Sequence, residues 1–245
     1  MRERVIAVNG AELWVAEQGT GEPLILCNGG PGCCDYLGPV AAMVDDLVRV
    51  YRFEPRGCGR SSAAGPYDLS TSLADLEALL EQLGHEQLAI GGHSWGAFLA
   101  LAYALDHPDR TTALIYLSGA GVQNDRGWHA AYQAGRDAGL EREPEFAFPH
   151  NLEVNRIGNA STFEHLVQPM LLRRIAGLHV PTLAVSGEAD IRPNWPVQQL
   201  VNLMPQAQFE LIEGAGHFLW LTHADRLRSL LRDFLAAPRS GMRRG

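Results

Sequence analysis

Short apolar runs recur along this chain with helical patterns between them, and that alternation leaves few folds open. Residues 24–27, 48–53, 88–90, 113–117, 182–185 and 209–212 read as strands. Unbroken apolar runs of this length suit strands buried on both faces. Strands separated by helices pair in parallel, because the crossover helix returns the chain to the same end of the sheet. The start of the chain differs. Residues 5–8 and 12–17 are strand patterns separated by Asn9-Gly10, the dipeptide favoured in a two-residue hairpin. The expected fold class is therefore α/β, a mostly parallel doubly wound sheet that begins with an antiparallel hairpin.

The helical patterns agree with this reading. Residues 70–83 place Leu73, Leu76, Leu80 and Leu83 on one face, with Ser70 as the expected cap. Residues 97–105 carry Ala97, Ala100, Ala102 and Ala104, small enough for close packing on a sheet, and residues 224–235 form a last amphipathic helix. Strand signals vanish over 122–177. That stretch is expected to be a helical cap inserted into a core of 1–121 and 178–237, followed by a basic, frayed tail at 238–245.

A chain of 245 residues, 46% hydrophobic and 20% charged, can bury the core such a sheet needs. The formal charge of −8 gives nucleic acid no basic surface and disfavours anionic membranes. No apolar stretch approaches the ~18 residues of a membrane span, and Met1-Arg2-Glu3-Arg4 opens no secretory pattern. The expectation is a cytoplasmic protein with a small-molecule or short-peptide substrate, with the oligomeric state open. Cys27, Cys33, Cys34 and Cys58 have neither disulfide nor zinc spacing and read as small buried hydrophobes. No metal or nucleotide motif is present, so no cofactor is expected.

The chemistry is carried by Gly92-His93-Ser94-Trp95-Gly96, between the strand at 87–90 and the helix at 97–105. A serine on a sharp strand-to-helix turn has a strained backbone, needs small neighbours, and projects its hydroxyl outward as a nucleophile. A hydroxyl attacks only when a base takes its proton and a third group orients that base. Such partners stand on loops beyond the carboxyl ends of later strands. Asp190, in Ser186-Gly187-Glu188-Ala189-Asp190, and His217, in Gly214-Ala215-Gly216-His217, both satisfy this, with Glu188 a rival acid. His93 reads as a packing residue. Asn28-Gly29-Gly30-Pro31-Gly32 can bend tightly after its strand, so the Gly30 N–H, with that of Trp95, is the expected oxyanion hole.

These segments, together with Arg56-Gly57-Cys58-Gly59-Arg60-Ser61, resemble the α/β-hydrolase superfamily and within it the proline iminopeptidase group. The resemblance implies a serine peptidase that removes an N-terminal residue through an acyl-enzyme, with glutamates of the cap holding the substrate's amino group. It is broken where Asn28 replaces the usual His and where Glu54-Pro55 replaces an Asp-Gln pair, and the insert is short for a peptidase cap. Glu141, Glu143, Glu145 and Glu153 are the acids available for an ammonium, and Trp128, Phe146 and Phe148 the aromatics available for an apolar acyl group. Expected substrate contacts are Glu153, Trp128, Phe146 and Phe148. The alternatives are an esterase, thioesterase or lactonase with the same triad, and a non-catalytic small-molecule binder on the same scaffold.

Overall fold

The computed structural model describes residues 1–237; the expected tail at 238–245 lies outside the described residues. Strands β1 (Arg2–Val8) and β2 (Ala11–Gln18) form the opening hairpin, with Val8 opposite Ala11. Both turn residues are left-handed, Asn9 at φ 45° and Gly10 at φ 74°. That is the backbone of a type I′ turn, whose twist matches the strands it joins. β2 pairs antiparallel with β4 (Arg49–Phe53). From there the sheet is parallel through β3 (Pro23–Cys27), β5 (Leu88–His93), β6 (Thr111–Leu117), β7 (Thr182–Gly187) and β8 (Ala207–Ile212).

The strand order is β1-β2-β4-β3-β5-β6-β7-β8. The chain leaves β3 toward one edge to make β4, then crosses back to make β5 on the other side. At such a reversal the loops leaving the two strands diverge and open a crevice at the carboxyl ends. The site is built there.

Helices cover both faces. α1 (Gly38–Ala41) and α8 (Trp220–Ala236) lie on one, and α2 (Leu69–Leu83), α3 (Trp95–Asp106) and α7 (Trp195–Leu203) on the other. β3 shows the period of two directly: Ile25 and Cys27 join one buried cluster, Leu24 and Leu26 the other. The alanines of α3 are buried completely or nearly so, which lets this helix press onto the sheet. Two local expectations change. α2 is capped by Asp68, whose carboxylate accepts the Thr71 N–H at 2.9 Å, rather than by Ser70, which lies inside the helix. α8 begins at Trp220 and breaks at His223 (φ −130°, ψ 41°), so the amphipathic stretch from Ala224 is its second segment.

Between β6 and β7 the chain forms α4 (Arg126–Asp137), α5 (Leu152–Leu166) and α6 (Leu171–Ala176), with an irregular strap at 138–151 between the first two. Leu171 and Ile175 of α6 pack in the core cluster with Leu178 and Val180, so the last helix of the 122–177 stretch belongs to the sheet's own core. No described helix is long and apolar enough to cross a membrane.

Candidate active site

Ser94 joins β5 to α3 with φ 58° and ψ −121°, one of the few non-glycine residues at positive φ. Such a conformation costs roughly 1–3 kcal/mol and persists only where surrounding contacts enforce it. The Ser94 N–H donates to the Leu117 carbonyl at 2.8 Å. The flanking glycines are steric necessities, because a side-chain carbon on Gly92 would enter the Gly96 carbonyl and one on Gly96 would enter the Cys27 and Asn28 carbonyls. The Ser94 side chain makes no capping bond to α3, which leaves its hydroxyl free for other work. Trp95 is the first residue of α3, where a backbone N–H has no intrahelical acceptor and the helix end is electropositive.

Asp190 and His217 meet as the chain order suggests. His217 Nδ1 lies 2.6 Å from Asp190 Oδ2, and both side chains are almost fully buried. Two backbone bonds, Glu188 N to Ile212 O at 3.0 Å and Ala189 N to Ala215 O at 2.8 Å, zip the acid loop to the histidine loop. Glu188 is exposed and accepts the Gly214 N–H, so the rival acid faces away from the imidazole. Burial by itself would raise the Asp190 carboxyl; the His217 and Arg192 charges and its hydrogen bonds outweigh burial and hold it below the usual value. A carboxylate so held keeps a proton on Nδ1 and leaves Nε2 as the basic atom. Among the described residues no hydrogen bond joins Ser94 Oγ to His217; the two loops are brought together through the residue before the serine, whose ring lies 4.6 Å from the His217 ring.

The glycine-rich loop after β3 abuts the nucleophile. A side-chain carbon on Gly29 would fall 2.9 Å from Ser94 Cβ and 2.5 Å from Tyr36 Oη. Gly29 N–H is already engaged, donating to Tyr36 Oη at 2.7 Å, so the next amide, Gly30, is the first in the loop available to a ligand. Gly30 has φ +118°, which a side chain would strain, and Asn28 anchors the loop by donating from Nδ2 to the Phe53 carbonyl at 2.8 Å. Glu54 is fully buried where the resemblance expects another residue. It accepts from Asp35 N–H at 3.0 Å and from the Arg60 backbone and guanidinium at 2.5 and 2.7 Å, which fixes the adjoining turn.

A family model of the alpha/beta hydrolase fold matches residues 22–147. The chain belongs to the alpha/beta hydrolase fold family. It is 26% identical to a proline iminopeptidase of Lactobacillus delbrueckii subsp. bulgaricus over 87% of this chain and 89% of that one. It is 27% identical to a poly(3-hydroxyalkanoate) depolymerase of Ectopseudomonas oleovorans, over 89% and 85%. Among solved structures, a thermophilic esterase from Thermogutta terrifontis superposes with a TM-score of 0.78 at 22% identity, covering 96% of this chain and 98% of that one. Within that family the chain is thus similar to proline iminopeptidases and, to a like degree, to a depolymerase.

The insert is tied to the loops that carry Asp190 and Pro31. Arg192, two residues after Asp190, pairs with Asp190 at 3.1 Å and with Glu141 of the strap, and its guanidinium lies 4.7 Å over the Tyr132 ring. Glu141, Asp190 and His217 bring ligand atoms within 4.8 Å of one another, and Arg192 is shared between the two carboxylates. The strap continues over the oxyanion loop, where Phe146 packs edge-on against Tyr36 at 5.4 Å and His150 Nε2 meets the Pro31 carbonyl at 2.7 Å. A cavity of about 180 Å³ opens beside His217, lined by Leu140, Glu141, Ile191, Phe218 and Leu221 among others.

The sequence-derived substrate residues fall into different places. Trp128 is buried, its indole N–H donating to the Pro193 carbonyl at 2.9 Å, so it braces the acid loop. Phe146 lies near the site, Phe148 is 37% exposed beside Arg60, and Glu153 is exposed in the first turn of α5. Sequence reasoning missed Arg192, Tyr36, Phe218 and Trp220. Arg192 carried a signal, a cation two positions from the acid; the aromatics carried none, because their convergence is created by the fold.

Proposed function

We propose that this protein is a serine hydrolase working through an acyl-enzyme, with Ser94 as nucleophile, His217 as base and Asp190 as its orienting acid. The observation that carries the reading is the 2.6 Å His217–Asp190 bond beside a serine held at positive φ. His217 Nε2 takes the Ser94 proton as Oγ attacks the acyl carbon, and the N–H groups of Gly30 and Trp95 receive the developing oxyanion. His217 then protonates the leaving group, which departs, and a water activated by the same nitrogen releases the acid and regenerates Ser94. Each oxyanion donor contributes about 3 kcal/mol to such a step.

The substrate reading is removal of an N-terminal residue from small peptides or amides, as the name of the proline iminopeptidases it is similar to suggests, with residues 122–177 as the cap. Glu141 is paired with Arg192 and is not the ammonium partner in this arrangement. Glu153, in the first turn of α5, and Glu143 and Glu145 of the strap remain as cap carboxylates for an ammonium. A second reading, hydrolysis of a small ester or lactone, is favoured by the engagement of Glu141 with Arg192 and by the apolar ring of Phe146 near the site.

Purified protein assayed with proline p-nitroanilide and p-nitrophenyl butyrate separates the two. Amide turnover supports the peptidase reading, and ester turnover alone supports the second. In either case Ser94→Ala is expected to lose about a thousandfold or more in kcat. Unchanged kcat in Ser94→Ala removes the triad from the mechanism.

A further inference from the structure

Three buried hydrogen bonds outside the triad run through its parts in one direction. Gly29 N–H donates to Tyr36 Oη at 2.7 Å, Tyr36 Oη lies 2.8 Å from His93 Nδ1, and His93 Nε2 lies 3.0 Å from the His217 carbonyl oxygen. The polarity is fixed at the carbonyl end. A carbonyl can only accept, so a neutral His93 carries its proton on Nε2, and its bare Nδ1 accepts the Tyr36 hydroxyl, whose oxygen in turn accepts the Gly29 N–H. Full burial, then the neighbouring His217 charge, push His93 well below the usual histidine value and keep it neutral.

The chain touches the residue before the assigned oxyanion donor, the residue before the nucleophile, and the catalytic base itself. Nothing in it is exposed: Tyr36 is 8% accessible and His93 0%, and Phe218 and Trp220 wall the pair at ring distances of 4.9 to 6.0 Å. We propose that Tyr36 and His93 are positioning residues, which set the spacing between the oxyanion loop and the catalytic base through this one-way hydrogen-bond chain. The inference rests on the triad reading above. Neither side chain touches the reacting atoms; each acts through the backbone it holds.

The variant Tyr36→Phe removes one oxygen, leaving the Gly29 amide and His93 Nδ1 without partners while conserving charge and shape. With p-nitrophenyl butyrate, kcat is expected to fall about ten- to a hundredfold, the scale of a misplaced reacting geometry, with KM within about twofold. Affinity for phenylboronic acid, whose tetrahedral adduct uses the oxyanion donors, should fall in parallel. His93→Gln, which retains one acceptor and one donor, should keep more activity than His93→Leu. A folded Tyr36→Phe protein with wild-type kcat and wild-type boronate affinity overturns the proposal, as does a variant that loses thermal stability alone. Should the variant not fold, 15N-histidine NMR of the unmodified protein decides: a proton on His93 Nε2 supports the chain, a proton on Nδ1 overturns it. Loss of turnover in Ser94→Ala together with unchanged Tyr36→Phe removes this inference only, whereas full activity in Ser94→Ala removes the triad reading beneath it.

Discussion

At the scale of single residues, Ser94 joins strain to function. Its backbone sits where only glycine is comfortable, and the glycines on either side are held by contacts that no side chain could share. Ser94→Gly should therefore be more stable than Ser94→Ala by about 1–2 kcal/mol in chemical denaturation, although both lack the nucleophile. A smaller or reversed difference would show that the turn relaxes. Glu143 gives a second test at this scale. Under the peptidase reading Glu143→Gln raises KM for proline p-nitroanilide severalfold and leaves p-nitrophenyl butyrate unchanged, because only the first substrate carries an ammonium.

At the scale of elements, the loops matter more than the helices they join. The strap between α4 and α5 is anchored through Glu141 to Arg192 and through His150 and Asn151 to the glycine-rich loop, where the Asn151 N–H donates to the Gly32 carbonyl at 2.9 Å. Glu141→Gln weakens a charge-assisted bond between side chains only 15% exposed, with an expected stability loss of about 1–3 kcal/mol and faster proteolysis within 138–150. Helix α2 offers a control, since Asp68→Ala should cost about 1 kcal/mol while Ser70→Ala costs a few tenths at most. Thermal denaturation of the two variants distinguishes the caps.

At the scale of the whole molecule, buried histidine makes the fold acid-sensitive. His93 is held well below its ordinary value, so below pH ~6.5 the unfolded chain takes up a proton that the folded one refuses. Stability then rises with pH across that window and levels off above it, with a slope of up to about 1.4 kcal/mol per pH unit from this one group. His93→Gln should flatten that part of a denaturation series between pH 5 and 7. Asp190 acts lower on the scale: its depressed carboxyl adds stability above the unfolded carboxylate range near 3.9 and loses it as pH falls further.

The strands, the hairpin, the sharp turn at Ser94, and the meeting of the Asp190 and His217 loops were legible in the residues. Each rests on a local pattern: Asn9-Gly10 prefers left-handed angles wherever it stands, and an apolar run bounded by glycine forms a strand in any sheet that will cover it. The cap of α2 was misread because Asp68 and Ser70 are equally good caps in isolation, and only the helix start decides between them. Contacts across the fold lie outside such patterns. That Glu141 pairs with Arg192, that Trp128 braces the Asp190 loop, and that Tyr36 and His93 link the glycine-rich loop to His217 follow from crossovers that bring distant residues together. Sequence alone determined which side chains could do acyl chemistry and on which loops they stand. The tertiary structure decided which of them are free to act and which hold the others in place, because burial and hydrogen-bond partners exist only once the sheet has closed around them.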